Sequence, residues 1–221
     1  MKAGAGFGPI EAPVAQLDRV LPSEGRGFGF KSQRVHFFNF WQSLTMTLSS
    51  NIGEIEIVNE GAYSFGSPDN VRKYPFEQNF ADRRHASVHG ILINGVPLAV
   101  FGAGMGATGV HQHSAKVVEN SLYLAVGNRI VCVELNPFQF RWSIEADTAT
   151  CFGIYFEKEN HALLSHGELQ IGRFSQDGQL NWTAGGSDIF TGDFELFSGH
   201  IRVKDFNGRV YRLSYQTGKE V

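Results

Sequence analysis

Two histidines stand two apart at His111 and His113, with His85 and His89 upstream. On a strand, residues so spaced project from one face, so both rings could reach a single metal, with a glutamate or a third histidine completing an open site. The same residue types equally describe surface or inter-sheet histidines, and that plainer reading carries more weight. A second pattern, Gly104, Gly106 and Gly109, has the G-x-G-x-x-G spacing of a dinucleotide-binding turn. That chemistry needs a helix N-terminus directly after the glycines and an acidic residue about 20 positions on. Residues 110–118 are short and continue as a hairpin, so the glycines read as a tight loop. No Gly-x-Ser-x-Gly is present, neither cysteine has a histidine in a suggestive context, and paired carboxylates occur only in turns.

The elements that must position these residues are β-strands. Residues 54–58 (EIEIV) alternate polar and apolar with period two, as in a half-buried strand. Residues 64–84 are broken by Gly66, Pro68 and Pro75 and read as a long loop with Arg83 and Arg84 solvated. Asn94 and Gly95 join two apolar runs, the strongest short-range signal for a type I′ hairpin. Pro97 cannot donate to a ladder and belongs at an edge or facing away from its neighbour.

After Gly109 the chain repeats. Gly127 and Trp142 recur 40 residues later as Gly167 and Trp182, and a fixed period of this size marks a repeat architecture. Strands at 110–118, 121–126, 129–135 and 140–144 make one four-stranded unit; 151–156, 162–165, 168–174 and 180–183 make the next. A third begins with strands at 194–197, 200–205 and 210–215. Residues 130–133 are apolar on both faces, which suits sheets stacked against sheets. The missing last strand of the third unit is expected from residues 54–58.

The pattern Leu-Tyr-Leu-Ala-Val-Gly-Asn to Trp142, repeated through Gly167, Asp177-Gly178 and Trp182 and again through Gly208, Tyr211 and Thr217-Gly218-Lys219-Glu220, resembles the β-propeller repeats of the pyrroloquinoline-quinone type. The resemblance covers roughly residues 87–221. It implies an all-β fold of antiparallel four-stranded blades, three to four of them, as a small or half propeller, with a twisted β-sandwich as the alternative. It carries no expectation of the quinone or any other cofactor. Gly106, His111, His113, Glu119 and Gly127 also loosely resemble the first cupin motif, although the spacings differ and no second motif follows.

Aligning the units places Asp147 with Asp188 and, one step earlier, Gly106, all in inter-blade connections that should open on one face. It also aligns His111 with Phe152 and Asp193, and His113 with Ile154 and Glu195. A face carrying Gly104, Gly106, Asp147, Asp188, Asp193 and Glu195, with His111 and His113 as the metal candidates, is the expected binding surface, suited to a cation or a basic partner. The bland role for Asp147 and Asp188 is bonding backbone amides within turns.

Composition bounds the rest. The 221 residues are 42% hydrophobic, enough for one good core. Net charge −3 and the absence of any Lys/Arg run argue against nucleic acid. No apolar run reaches the roughly 18 residues of a membrane span, and a cytoplasmic location is the default. Cys132 and Cys151 are expected as buried free thiols. Residues 1–45 read as a Gly- and Pro-rich tail. Residues 14–35 resemble a conceptually translated bacterial transfer-RNA gene, with Met46 as the native start and 46–221 as a single domain. The function expected is a non-catalytic binding or protein-interaction module for an unknown protein or small ligand, with self-association into a homodimer through an unclosed edge. The alternative is a small metal-dependent enzyme using His111 and His113.

Overall fold

The computed structural model describes residues 45–221; the tail and the transfer-RNA-like segment lie outside the described residues. Met46 falls inside the first strand, β1 (Thr45–Ser50). The fold is all-β, and no helix occurs among the described residues. Sheet 1 contains β1, β2 (Gly53–Asn59), β3 (Phe76–Asn79), β4 (Ser87–Ile93) and β5 (Val96–Ala103), in the order β1-β2-β4-β5-β3. Sheet 2 is the meander β6 (Ala115–Val118), β7 (Ser121–Val126), β8 (Arg129–Leu135) and β9 (Phe138–Glu145). Sheet 3 is the meander β10 (Cys151–Glu157), β11 (Ala162–Gly167), β12 (Gln170–Phe174) and β13 (Leu180–Gly185). Sheet 4 is β14 (Phe194–Leu196), β15 (Ile201–Lys204) and β16 (Val210–Leu213). Consecutive antiparallel four-stranded sheets of this kind are propeller-type blades.

The sheets stack because their central strands are apolar on both faces. In sheet 2, Leu122, Leu124, Val131 and Val133 pack with Ile55, Ile57 and Phe101 of sheet 1. The alternate residues Tyr123, Ile130 and Cys132 pack with Ile154, Leu163 and Phe174 of sheet 3. Sheet 3 repeats the arrangement, with Leu164 and Ile171 meeting Ile201, Val203 and Leu213 of sheet 4. Each such side chain removed from water contributes about 1.5–3 kcal/mol. Cys132 and Cys151 are buried free thiols, as expected, and burial pushes both up to about 12, so neither is a nucleophile at neutral pH.

The far face of sheet 1 is covered by its own chain. Residues 60–86, inserted between β2 and β4, lay Tyr63, Phe65 and Tyr74 over Val58, Val88 and Val100. At the other end, Arg202, Lys204 and Arg212 alternate with the buried Ile201, Val203, Tyr211 and Leu213. A covered face at one end and a charged face at the other finish a stack of sheets.

Two expectations are corrected. Residues 54–58 form β2, which pairs with β1 and β4 in sheet 1 and not with sheet 4. In sheet 4 the fourth-strand place is begun by Glu220, bridged to Leu213, with Val221 N–H donating to Arg212 O at 2.8 Å. The long loop also contains β3, which pairs parallel with β5. Pro97 lies beyond the end of β3, whose pairing begins at Ala99, so its missing N–H costs no bond there. The Asn94-Gly95 turn has positive φ at both residues (50° and 77°), as a type I′ hairpin requires.

The recurring tryptophans are inter-sheet fasteners. Trp142 Nε1 donates to Gln176 O at 2.8 Å and Trp182 Nε1 donates to Tyr215 O at 2.9 Å. Each ring lies on the glycine of the next sheet's turn, Gly178 or Gly218. A Cβ at Gly178, whose φ is +81°, would sit 2.6 Å from the Trp142 ring. Gly178→Ala should therefore destabilise the protein by about 1–3 kcal/mol in urea unfolding. Gly199→Ala, with nothing within 4 Å of the added carbon, should stay within about 1 kcal/mol of wild type.

Candidate functional site

In sheets 2 to 4 the sheet-to-sheet connections and the turns between second and third strands come out on one rim, joined by hydrogen bonds. Thr108 Oγ1 accepts from Gly127 N–H at 3.0 Å. Asp147 Oδ2 accepts from Leu169 and Gln170 N–H at 2.9 and 3.0 Å, and its Oδ1 from Ala149 N–H at 2.7 Å. Asp188 Oδ2 accepts from Asn207 Nδ2 at 2.6 Å and Oδ1 from Ile189 N–H at 2.8 Å. Each connection thus holds the turn of the following sheet. Backbone bonds run alongside: Cys151 N–H to Gly127 O at 2.8 Å, Phe190 N–H to Glu168 O at 2.7 Å and Phe206 N–H to Ile189 O at 2.8 Å.

The structure therefore brings Gly106, Asp147 and Asp188 onto one rim. Asp147 is buried, and its two oxygens are occupied by three backbone amides. Gly106 and Gly127, both at positive φ, lie in backbone contact: a Cβ on Gly106 would sit 2.7 Å from the Gly127 carbonyl carbon. The glycine spacing serves this close approach, and a β-strand follows it where a nucleotide fold needs a helix. Gly104 lets Ala81 of the insertion approach, with 3.2 Å between a Cβ built there and the Ala81 Cβ. Glu195 sits apart, on β14, in an ion pair with Arg202. The Asp193 side chain is exposed ahead of that strand.

His111 and His113 occupy a turn, not a strand, which corrects the shared-face expectation. Ser114 Oγ accepts from His111 N–H at 2.9 Å, and Ser114 N–H donates to His111 O at 2.9 Å, folding the segment before β6 begins. His111 Nδ1 accepts from His113 N–H at 3.2 Å, so the ring proton sits on Nε2, which donates to Phe152 O at 2.6 Å. Both nitrogens thus hold backbone. Among the described residues no group of three or more His, Cys, Asp or Glu is placed to hold a metal ion.

The His113 ring stacks on Tyr155 (4.5 Å between centroids), Tyr155 meets Phe194 at a tilt (4.2 Å) and Phe194 stacks on His166 (5.0 Å), tying the turn before β6 to sheets 3 and 4. His166 is buried and its Nε2 has no hydrogen-bond partner among the described residues. His89, fully buried, sets Nδ1 3.1 Å from Ala125 O and Nε2 3.3 Å from Thr108 O. Burial holds both rings neutral, down to about 4 for each.

Two clefts flank the insertion on this rim. The first, about 500 Å³, is lined by Tyr63, Arg83, Arg84, His85, Ser87 and Thr108 among others, with no carboxylate among its described lining residues. The second, about 690 Å³, shares Arg83 and Arg84 and adds Phe80, Met105, Arg129 and Glu145. Arg129 is committed, its guanidinium 4.9 Å over Phe80 and its Nε donating to Ser143 Oγ at 2.9 Å. Arg83 and Arg84 are exposed and make no ion pair or hydrogen bond with described residues. Their adjacency within an unusually long loop was the one sequence signal for them.

No protein-family description matches the sequence, and no curated protein matches it. Solved structures do. The chain is similar to a computationally designed protein, Ika8, with TM-score 0.50 and 8% identity, over 79% of this chain and 46% of that one. It is also similar to BamB from Moraxella catarrhalis, with TM-score 0.45 and 16% identity, over 61% of this chain and 41% of that one. The chain matches less than half the length of either structure, and at 8% identity the likeness to Ika8 speaks to the fold alone.

Two stability outcomes follow. Asp147→Ala removes a buried carboxylate from three part-buried amides and should cost about 2–3 kcal/mol, whereas Asp188→Ala, on a half-buried group, should cost about 1 kcal/mol, both read by urea unfolding. His89 and His166 have folded values below their unfolded value of about 6.5, so between about pH 6.5 and 4 the unfolded chain binds protons that the folded chain does not. Their contribution is full above pH 6.5 and is lost as pH falls, on the order of 3 kcal/mol each by pH 4. Unfolding midpoints taken from pH 7 to 4.5 should fall, and His166→Phe should make the fall shallower.

Proposed function

We propose that this protein is a non-catalytic protein-interaction module on propeller-type sheets, and that its partner binds the rim around residues 60–86. The observation that supports this most is the contrast along that rim. The carboxylates of Asp147 and Asp188 are taken up in holding turns, while Arg83 and Arg84 stand exposed between two clefts. Guanidinium groups that described residues leave unpaired beside a concave surface suit recognition, since Arg offers a planar fork of donors and is weakly hydrated. The insertion that carries them is anchored at its base: Tyr63 OH donates to Glu77 at 2.5 Å, and Tyr74 OH and Arg72 both donate to Glu60 at 2.6 Å. A rigid base under exposed arginines is the arrangement that loses least entropy on binding.

Immobilised full-length protein carrying Arg83→Glu with Arg84→Glu should lose its captured partner by tenfold or more relative to wild type, measured by quantitative mass spectrometry. Glu159→Lys with Asp177→Lys, both exposed on the opposite rim, should retain it. Equal loss in both variants, or retention in the first, would contradict the reading.

A further inference from the structure

The two clefts differ in chemistry, and the difference defines what fits them. The first presents Arg83, Arg84 and His85, and no carboxylate stands among its described lining residues. A carboxylate there meets two guanidinium groups that make no ion pair with described residues. The second sets Phe80 and Ala81 against Met105, whose side chain is 55% exposed. A methionine left this open on a loop adapts to an incoming apolar group. Asp82 and Glu145 also line this second cleft. They would repel a continuous polyanion such as a nucleic-acid strand but leave an uncharged side chain unopposed.

Resting on the interaction-module reading, we propose that both clefts hold one extended segment of a partner protein. An acidic side chain of that segment occupies the first cleft against Arg83 and Arg84, and an apolar side chain occupies the second against Phe80 and Met105. The clefts share both arginines, so they adjoin. In an extended chain, side chains two positions apart point the same way and lie roughly 7 Å apart, so a short segment supplies both groups.

The test is selection of a random eight-residue peptide library displayed on phage against the full-length protein. Enriched sequences should carry Asp or Glu within three positions of a large apolar residue. A fluorescein-labelled enriched peptide should lose tenfold or more in affinity, by fluorescence anisotropy, on Arg83→Glu with Arg84→Glu and on Met105→Glu. All these residues are exposed, and circular dichroism checks that the variants fold. Enrichment without an acidic residue, or affinity unchanged in the arginine variant, overturns the proposal. So does displacement of the peptide by inorganic phosphate or a single-stranded oligo-dT at concentrations below the peptide's own. Failure here, with rim-dependent capture of a natural partner intact, removes the acidic-apolar chemistry and leaves the interaction module standing.

Discussion

Everything in this structure depends on one constraint: sheets 2 and 3 are apolar on both faces, so each is stable only between two neighbours. Leu122 and Val133 look toward sheet 1 while Tyr123 and Cys132 look toward sheet 3, and the same division recurs one sheet later. Such a stack needs its ends finished. Sheet 1 solves this with the insertion whose Tyr63 and Tyr74 cover its far face. Sheet 4 solves it with alternation, placing Arg202, Lys204 and Arg212 opposite the buried side. The cover on sheet 1 is therefore a structural necessity that also delivers Arg83 and Arg84 to the rim.

The rim shows how a repeat separates scaffold from site. Thr108, Asp147 and Asp188 perform one job at three successive connections, each holding the next sheet's turn. A residue bound to its own chain this way is committed to the scaffold. What the repeat does not explain is the material outside it, chiefly residues 60–86, and that is where Arg83 and Arg84 stand exposed, without an ion pair or hydrogen bond to described residues.

The strands of sheets 2 to 4 were legible because local chemistry and period agreed. Positive-φ glycines at Gly127 and Gly178 mark turns, and Trp142 and Trp182 mark the strands that dock on the next sheet. Sheet 1 was less legible because no tryptophan marks it among the described residues; Phe76 and Phe101 meet Phe140 of sheet 2 instead. β3 escaped notice because a parallel edge strand inside a loop has no turn signals of its own. His111 and His113 looked like a strand pair because spacing alone does not reveal that Ser114 turns the chain back on His111. Nor does spacing distinguish a carboxylate that binds a ligand from one that binds amides, which is why Asp147 drew attention and Arg83 and Arg84 did not.

If the proposed function holds, a partner meets the rim around the insertion, and the opposite rim and the histidine-aromatic stack serve the scaffold. Hydrogen–deuterium exchange of the full chain, with and without a captured partner, tests this most directly. Protection on binding should concentrate in residues 80–87 and 104–108. Protection centred on residues 157–161 and 176–178, with the insertion unchanged, would contradict it.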